Sequence, residues 1–255
     1  MNTKVKRILI MEEVRLNKYL SEAGVCSRRE ADRLIETGKV TVDGNPAVTG
    51  MRIRREQEVA VDGKAVESRE ERILLAVYKP PGVVSTADRR ERRNIVDFVG
   101  YPIRVYPVGR LDKDSEGLIL MTNDGSLVNR IMKASNYHEK EYLVTVDRPV
   151  TEEFLERMRK GVRIRKAEQG KVLLDAVTRP CQVEKTGRFD FRIILTQGLN
   201  RQIRRMCGTL GFEVVSLKRI RILNIELKGM KPGTWRKVTQ KEMEELEALL
   251  RGSAG

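Results

Sequence analysis

The sequence predicts an α+β protein in which a small module of two helices and a hairpin precedes a larger domain. Strand-like apolar runs mix irregularly with amphipathic helical segments, which favours this class. A stretch dense in charge, residues 61–72, separates the short first segment from the rest. Hydrophobic residues make up 40% of the 255 positions, enough to fill real cores. We therefore expect domains at residues 13–70 and 71–251.

The first module contains the signals of two short helices and a hairpin. Apolar residues at helical spacing predict a helix over residues 14–24. Capping-box spacing at Ser27–Glu30 begins a second helix, which Gly38 can end. Residues 40–48 hold two short apolar runs around the turn pair Asp43-Gly44, a pattern typical of a hairpin.

A basic face is predicted on the second helix. Arg29 and Arg33 lie four positions apart, Arg28 is adjacent, and Lys18 and Lys39 lie nearby. Guanidinium and ammonium groups on one face can bind phosphates. An ordinary solvated helix face explains the spacing equally well, so the charges alone leave both interpretations open.

Strands and helices mix beyond residue 72. Apolar runs predict strands at 73–78, 103–108, 118–122, 142–146, 171–177 and 189–196. Helical spacing predicts helices near 126–134, 151–159 and 200–210, and a C-terminal helix that begins at the capping box Thr239–Glu242 and ends before Gly252. The segment Lys79–Gly82, Lys-Pro-Pro-Gly, must turn the chain after the first strand.

The charge balance indicates a polyanionic partner. The chain carries 50 lysines and arginines against 36 aspartates and glutamates, a formal net charge of +14. Residues 1–70 hold 14 basic and 12 acidic side chains, so most of the surplus lies in the second domain. Nucleic acid is the leading partner class, because neutralising phosphates releases counterions.

Several kinds of site lack the residues they need. Cys26, Cys181 and Cys207 are widely spaced, which predicts free, mostly buried thiols in a reducing compartment. His138 is the only histidine, so we expect neither a structural zinc site nor a Ser-His-Asp triad, and His138 itself should make local hydrogen bonds. The N-terminal apolar run Ile8–Met11 is too short for a secretory signal, and we expect a cytoplasmic protein without a membrane segment.

Asp112 is the residue that the sequence singles out for chemistry. It lies on a glycine-bounded loop, Gly109–Gly117, that leads directly into the apolar run 118–122, so its carboxylate should lie at the rim of a sheet. Two further carboxylates in the loop alternate as in a calcium-binding loop, but the twelfth position is Asn123 and a strand follows where a helix is required. Two close carboxylates can alternatively serve as the acid and nucleophile of a glycosidase.

The predicted helix near 200–210 has one apolar face, with Asn200 as its candidate cap. Its other face carries three arginines, Arg201, Arg204 and Arg205. Guanidinium groups that project together suit bidentate contacts with phosphate or carboxylate, and one of them can hold Asp112 ionised. A solvent-facing arginine cluster is the alternative.

Tyr142 stands at the start of a predicted strand, after a polar turn. An aromatic ring at such a position can stack on a base that has been extruded from RNA. A tyrosine in a strand more often packs in the core, and without other motifs we favour packing.

Three segments of the first module resemble an S4 RNA-binding domain: Arg15–Leu20, Ser27–Ala31 and Gly38–Gly44. The resemblance spans roughly residues 13–60. It implies RNA contact by Lys18, Arg28, Arg29 and Arg33 and does not specify a reaction.

The second domain resembles the bacterial pseudouridine synthases that act on ribosomal RNA, and within them the large-subunit branch. Five motifs in order carry the resemblance: Lys79–Gly82, Gly109–Leu118, Lys140–Tyr142, Asn200–Met206 and Gly229–Arg236. It covers nearly the whole chain from residue 13 to residue 250. It implies a catalytic domain with a mixed, mostly antiparallel sheet and an active cleft across its middle.

The resemblance implies a role for each candidate residue. Asp112 is the nucleophile or base that breaks the N1–C1′ bond of a uridine, through an ester at C1′ or through a glycal, before the uracil rejoins through C5. Tyr142 stacks on the flipped uridine, Arg204 forms an ion pair with Asp112, and Arg110 fills the space that the base leaves. The remaining implied RNA-binding residues are Gly109, Leu111, Asn200, Arg201 and Arg205, of which Arg201 and Arg205 bind phosphates.

No metal, nucleotide or redox cofactor is expected. The expected partner is RNA, with 23S ribosomal RNA as the main substrate and transfer RNA as a further one, and the expected state is a monomer. Two alternatives stay open at this point: a non-catalytic ribosome-assembly factor that binds RNA with both basic surfaces, and a glycosidase that releases uracil.

Overall fold

The computed structural model describes residues 13–54, 56–67, 72–88, 90–133, 137–169 and 171–252. The apolar run Ile8–Met11, residues 68–71 of the predicted linker, and Asn136 at the start of the turn before Tyr142 lie outside the described residues. The chain divides into two units, Met1–Arg72 and Ile73–Gly255.

The first unit contains two helices and two small antiparallel sheets. The helices are α1 (Leu16–Glu22) and α2 (Arg28–Glu36). The strands are β1 (Val14–Arg15), β2 (Val40–Val42), β3 (Asn45–Pro46), β4 (Arg52–Ile53), β5 (Val59–Val61) and β6 (Lys64–Ala65). Strand β1 pairs with β4, and the other four form a sheet in the order β3-β2-β5-β6. Their inner faces share one core with the helices.

Local sequence signals explain these elements. The Ser27 hydroxyl accepts a hydrogen bond from the backbone N–H of Glu30 at 3.1 Å, which caps α2 as predicted. Asp43-Gly44 and Asp62-Gly63 both adopt positive φ, the conformation of the tight turns that join antiparallel strands. The second turn shows that the predicted linker starts too early, because residues 61–65 belong to the β5–β6 hairpin.

The second unit is built on a nine-stranded sheet with helices packed against it. Its strands are β7 (Leu74–Lys79), β8 (Tyr106–Val108), β9 (Glu116–Thr122), β10 (Lys140–Val146), β13 (Gln182–Lys185), β14 (Asp190–Leu195), β15 (Val214–Ile222), β16 (Ile225–Glu226) and β17 (Trp235–Lys237). A separate hairpin consists of β11 (Arg163–Glu168) and β12 (Lys171–Val177). The helices are α3 (Ile95–Val99), α4 (Gly125–Met132), α5 (Glu152–Lys160), α6 (Gln202–Thr209) and α7 (Gln240–Gly252).

The main sheet is mixed and mostly antiparallel, which confirms the predicted fold class. Its order is β13-β14-β10-β15-β9-β7-β17, with β8 beside β9 and β16 beside β15. Strands β9 and β15 run parallel and pair only through Glu116 with Lys218 and Gly117 with Arg219. We call this short contact the parallel seam.

Gly117 is required at the parallel seam. Its φ is +109°, and a Cβ there would lie 2.2 Å from the carbonyl oxygen of Arg219 and 2.6 Å from its nitrogen. A side chain therefore cannot be accommodated without moving the backbone of β15. The glycine that ends the Asp112 loop thus lets β15 approach that loop closely.

Separate hydrophobic clusters pack on the two sides of the seam. On one side β10, β14 and β15 pack against α5 and α6, with Phe154, Phe191 and Met206 buried at the centre. On the other side β7 and β9 pack against α4 and α7 on one face and against α3 on the other. The seam therefore joins two well-packed halves and is itself only two residue pairs long.

Strand β15 is the main element that the sequence pattern did not predict. Lys218, Arg219 and Arg221 interrupt its apolar alternation, yet Arg219 is only 3% exposed. Strands β11 and β13 were also not predicted, and the strand expected at 103–108 begins only at Tyr106. Hydrophobic periodicity does not detect a strand that contains a buried charged residue, because the method assumes that charged residues face water.

Two helix boundaries also differ from the prediction. The capping box of α7 forms in full, since the backbone N–H of Thr239 donates to Glu242 Oε2 and that of Glu242 donates to Thr239 Oγ1, but α7 includes Gly252. Helix α6 begins after Arg201, which occupies the N-cap position with φ +50°. Asn200 therefore does not cap α6, and its Oδ1 accepts a hydrogen bond from Arg205 instead.

Candidate active site

A cleft of about 650 Å³ lies beside the parallel seam in the second unit. Residues from both sides of the seam line it, among them Asp112, Lys140, Tyr142, Leu195, Arg201 and Arg219. Its volume is in the range of pockets that enclose small ligands, about 300–1,000 Å³. Its lining mixes apolar side chains with cations and with the carboxylates of Asp112 and Glu91, so it can hold a polar group.

The loop that carries Asp112 is held by hydrogen bonds to its backbone. The buried Ser85 hydroxyl donates to the Leu111 carbonyl oxygen at 2.8 Å and accepts from the Leu111 N–H at 3.1 Å. The Ser115 N–H donates to the Asp112 carbonyl oxygen at 3.1 Å and closes a turn. The Asp112 side chain keeps 28% exposure at the rim of the cleft. The backbone is fixed while the carboxylate stays accessible.

Lys79 also holds the Asp112 loop, through hydrogen bonds from its buried ammonium group. It ends β7 with no solvent exposure, and its Nζ donates to the carbonyl oxygens of Pro80 and Val83 at 2.9 Å and of Lys113 at 3.4 Å. Burial lowers the pKa of Lys79 to about 8, although the nearby carboxylates of Asp114 and Asp112 act in the opposite direction. The Lys-Pro-Pro-Gly turn therefore binds the Asp112 loop, a role that sequence reasoning did not assign to this lysine.

Arg201 contacts two carboxylates of the loop. Its Nη1 lies 3.7 Å from Asp112 Oδ2, and its two Nη atoms donate to the Asp114 carboxylate at 3.1 and 3.0 Å. The bidentate bond from Arg201 is the main reason that the pKa of Asp114 is lowered. Asp114 is thus an anchor for Arg201, whereas Asp112 is only loosely paired.

Arg204 does not form the ion pair that was expected for it. Its Nη1 donates to the Val214 carbonyl oxygen at 3.0 Å, and its Nη2 donates to the Asp114 carbonyl oxygen and the Ser115 hydroxyl at 3.3 Å each. Its Nε lies 3.4 Å from the Asp114 carboxylate. Because these groups occupy the guanidinium, the ion pair with Asp112 is made by Arg201, and the prediction of an Arg204–Asp112 pair is wrong in this structure.

Arg205 also uses its donors within the chain. Its Nε and Nη2 donate to the carbonyl and side-chain oxygens of Asn200 at 3.0 and 3.2 Å, and its Nη1 donates to the carbonyl oxygen of Arg165 at 3.3 Å. Arg205 therefore links α6 to the β11–β12 hairpin. Phosphate binding by Arg205 stays a prediction.

The other predicted residues of the loop line the cleft in different ways. Leu111 is buried, and Arg110 is exposed. Gly109 has φ +76°, and an added Cβ would lie 2.7 Å from the flexible end of Met132. The loop thus contributes one buried apolar side chain and one exposed cationic side chain to the cleft next to Asp112.

Tyr142 and Arg219 are neighbours on adjacent strands. They are register partners across β10 and β15, and Arg219 Cζ lies 6.0 Å from the centroid of the Tyr142 ring. Tyr142 is 8% exposed, belongs to the core cluster and also lines the cleft. The ring is therefore packed and still borders the cleft.

Lys140 is a second cation of the cleft that sequence reasoning missed. Its Nζ donates to the His138 carbonyl oxygen at 3.2 Å. Burial, with the nearby charge of Arg219, lowers the pKa of Lys140 to about 8. The signal available for Arg219 is a cation inside an otherwise strand-like run, and for Lys140 it is a cation at the start of one.

The remaining candidate residues are not part of the cleft. Nδ1 of the buried His138 lies 2.9 Å from the Ile131 carbonyl oxygen, which agrees with the local role expected for it. Cys26, Cys181 and Cys207 are not joined to one another by a disulfide, and burial raises the pKa of Cys207 to about 12 and of Cys181 to about 11. Among the described residues, no group of three or more His, Cys, Asp or Glu side chains could hold a metal ion.

The basic face predicted on α2 is exposed. Arg28, Arg29 and Arg33 all lie at the surface, and Arg33 makes a 3.4 Å surface contact with Glu30. Lys18 on α1 forms a surface pair with Glu22 at 3.6 Å. Exposed pairs of this kind are weak, so these cations can exchange their partners for phosphates.

Every helix in the described ranges falls short of the length and hydropathy needed to cross a bilayer.

Comparison with known proteins assigns both units. Residues 73–209 match the family described as "RNA pseudouridylate synthase", and residues 14–59 match the S4 domain. The chain is 52% identical over 243 residues to the dual-specificity RNA pseudouridine synthase RluF of Escherichia coli (strain K12), covering 94% of this chain and 81% of that protein. It is 37% identical over 239 residues to ribosomal large subunit pseudouridine synthase B of Bacillus subtilis (strain 168), covering 92% and 96%. A crystal structure of a pseudouridylate synthase matches with a TM-score of 0.64 at 29% identity, over 91% of this chain and 99% of that one.

Proposed function

Because the chain belongs to the RNA pseudouridylate synthase family and is an enzyme that isomerises uridine in RNA, we propose that Asp112 is its catalytic carboxylate and 23S ribosomal RNA its main substrate. The observation that carries the proposal is the position of the Asp112 carboxylate at the rim of the cleft. It is 28% exposed, and its only ion pair among the described residues is the 3.7 Å contact with Arg201. A carboxylate so placed is reachable by a ribose.

The reaction is an isomerisation that needs one ionised carboxylate near the sugar. Asp112 attacks C1′ or removes the hydrogen at C2′, and the N1–C1′ bond breaks with its electron pair going to the uracil. The uracil rotates and C5 bonds to C1′, while the ester bond between C1′ and Asp112 breaks or, on the glycal route, Asp112 returns its proton to C2′. The C5 hydrogen leaves as a proton and N1 gains one, so no oxidant or reductant is consumed.

Nearby side chains support this chemistry. Arg201 places a positive charge 3.7 Å from the Asp112 carboxylate, and Arg204 positions the loop through the backbone of Asp114. Tyr142 offers a ring on which the flipped uracil stacks, since it borders the cleft. Arg110 is exposed beside the loop and enters the space that the base leaves in the RNA.

The substrate assignment rests on the first unit and on the relatives. The exposed cations of α2 suit contacts with phosphates of folded RNA. The Bacillus subtilis relative is named for the large ribosomal subunit, which supports 23S ribosomal RNA. The Escherichia coli relative is named as dual-specificity, which makes transfer RNA the second substrate to test. We place the enzyme in the cytoplasm, with these RNAs, as a monomer.

Pseudouridine mapping tests the substrate. Ribosomal and transfer RNA from cells with and without this protein are compared site by site. We expect the loss of pseudouridine at a defined site of 23S ribosomal RNA. An unchanged map contradicts catalysis and leaves the non-catalytic assembly factor, whereas free uracil from treated RNA indicates the glycosidase.

Asp112→Asn tests the catalytic carboxylate. We expect isomerisation to fall by more than about a thousandfold, because an amide can neither attack C1′ nor accept a proton. RNA affinity, measured by titration, should stay within about tenfold, since Asp112 does not anchor the loop.

Asp114→Asn is the matched control from the same loop. It removes the anchor of Arg201 and leaves the Asp112 carboxylate in place, so the loss of rate should be much smaller. Activity retained in Asp112→Asn, or a large loss of RNA affinity there, would show that Asp112 is structural.

A further inference from the structure

Arg219 is buried in the wall of the cleft with part of its hydrogen-bonding capacity unused. The residue is 3% exposed, and its Nε donates to the Leu118 carbonyl oxygen at 2.7 Å. Its Nη2 is buried and has no hydrogen-bond partner in the part of the chain that the structure describes, and Arg219 forms no ion pair there. Burying a cation without a counter-charge costs free energy. Such a group is expected where a ligand supplies the missing partner.

The position of Arg219 relative to Tyr142 indicates which ligand atom it meets. Its Cζ lies 6.0 Å from the centroid of the Tyr142 ring. A planar ring stacked offset on a tyrosine has its centroid about 4.5–7 Å away. Tyr142 and Arg219 both line the cleft, so a base stacked on Tyr142 lies in the same cleft as the guanidinium. The polar atoms at the edge of uracil that accept hydrogen bonds are its carbonyl oxygens.

The positive charge of the cleft is complementary to the negative charge that develops on uracil. When the N1–C1′ bond breaks, the electron pair spreads over N1, O2 and O4 of the ring. Arg219 and Lys140 both line the cleft, and Arg219 contributes to lowering the pKa of Lys140 to about 8. The cleft thus concentrates positive charge before substrate arrives, which is the preorganisation that stabilises an anionic leaving group.

We propose that Arg219 is a further catalytic residue, whose guanidinium binds a carbonyl oxygen of the flipped uracil and stabilises the negative charge on the ring after N1–C1′ cleavage. The proposal rests on the proposed function of the cleft. Arg219 exchanges no proton. The pair of electrons that it stabilises returns to C1′ when the C1′–C5 bond forms, while C5 loses a proton and N1 gains one.

Substitutions at Arg219 test the proposal in single-turnover isomerisation at saturating enzyme. Loss of one preorganised donor costs about 100- to 1,000-fold in rate, so we expect at least a hundredfold loss for Arg219→Met. Arg219→Lys keeps the charge but cannot donate hydrogen bonds to the Leu118 carbonyl oxygen and to the uracil at the same time. We therefore expect the rate to fall by about tenfold or more. RNA affinity should stay within about threefold, because the contact strengthens in the transition state.

Arg221→Lys is the matched control. Arg221 lies two positions along β15 and pairs with Glu141 at 2.7 Å and Glu139 at 3.0 Å, away from the residues that line the cleft. The same change of side chain there should alter the rate by less than about threefold. Thermal unfolding of each variant checks that the protein is folded.

A thio-substituted substrate separates a direct contact from a structural role. RNA with 2-thiouridine or 4-thiouridine at the target offers a weaker acceptor at one of the two positions. We expect one of these substrates to slow the native enzyme by about tenfold and to slow Arg219→Lys no further, because the contact is already lost. If Arg219→Met does not fold, this comparison between the native enzyme and Arg219→Lys decides.

Three results would overturn the assignment of Arg219: a folded Arg219→Met that loses less than a hundredfold, equal thio effects in the native enzyme and Arg219→Lys, or an Arg221→Lys loss as large as that of Arg219→Lys. Asp112→Asn, run in parallel, distinguishes this failure from failure of the proposed function. An active Asp112→Asn overturns the role of the carboxylate. An inactive Asp112→Asn beside a fully active Arg219→Met overturns only the role of Arg219.

Discussion

The two units of this protein carry their positive charge in opposite ways. In the described part of the first unit no lysine or arginine is buried, and α2 exposes Arg28, Arg29 and Arg33. In the second unit Lys79 has no exposure and Arg219 has 3%. Every described cation of the first unit is exposed or half-buried, whereas the second unit also buries Lys79 and Arg219.

This difference separates affinity from chemistry. An exposed cation loses little on folding and can neutralise a phosphate with release of counterions, which suits sequence-tolerant RNA binding. A buried cation costs free energy unless its donors are satisfied, but its field is strong because water does not screen it. Lys79 satisfies its donors with carbonyl oxygens, and Arg219 keeps one nitrogen for substrate under the proposal above.

The largest effect should come from removing a buried cation. We expect Lys79→Met to lower the free energy of unfolding by about 3 kcal/mol, because carbonyl oxygens of two loops lose their donor and relief of the desolvation cost offsets this only in part. The same change at the exposed Lys64 of the first unit should stay within about 0.5 kcal/mol. Chemical denaturation followed by circular dichroism measures both. Equal losses of stability in Lys79→Met and Lys64→Met would contradict the proposed difference between buried and exposed cations.

A smaller effect should depend on pH. The pKa of Lys140 is lowered from 10.5 to about 8, so between these values the unfolded chain binds the proton that the folded protein has released. The cost of keeping Lys140 charged is therefore full below pH 8 and fades as pH rises. Relative to Lys140→Met, the native protein should gain about 2 kcal/mol of stability between pH 7 and pH 10.

Denaturation of both proteins across this pH range measures the gain. Lys64→Met, in which the substituted lysine is exposed, is the control and should show no such change relative to the native protein. A constant difference between the native protein and Lys140→Met would mean that Lys140 is not perturbed by the cleft.

The smallest effect should come from the exposed cations. Replacing Arg28, Arg29 and Arg33 together by Gln should weaken RNA binding by about tenfold at physiological salt and make the slope of log K against log salt less steep by about 2. The isomerisation rate at saturating RNA should not change, because α2 belongs to the binding unit. Titrations at several salt concentrations measure the slope. An unchanged slope would favour the solvated-face interpretation of α2.

Sequence patterns were sufficient where neighbours along the chain determine the structure. The capping boxes at Ser27 and Thr239, the tight turn at Asp43-Gly44 and the apolar run after Gly117 each act over a few residues, so their signals survive without tertiary information. The position of Asp112 within a glycine-bounded loop belongs to the same class. The family resemblance extended these local signals to the fold of the second unit, and the matched family confirms it.

Local sequence patterns could not predict which side chains pair with one another in the cleft. Strand β15 was missed because Arg219 is charged and buried, and which arginine of the α6 segment reaches Asp112 depends on where that helix starts. Arg201 is left outside the helix and reaches the loop, while Arg204 is occupied by Val214 and Asp114. The spacing of arginines along one helix cannot show which of them pairs with Asp112, because the pairing depends on the position of the loop that the helix faces.

The sequence by itself therefore determined the two-part organisation, the S4 module, the glycine-bounded Asp112 loop and the class of reaction. Only the tertiary structure decided which cations are buried, which arginine pairs with Asp112 and why Gly117 must lack a side chain. The physical reason is range: capping, turns and periodicity act between residues close in sequence, whereas burial of charge and close backbone approach arise where distant strands meet at the parallel seam.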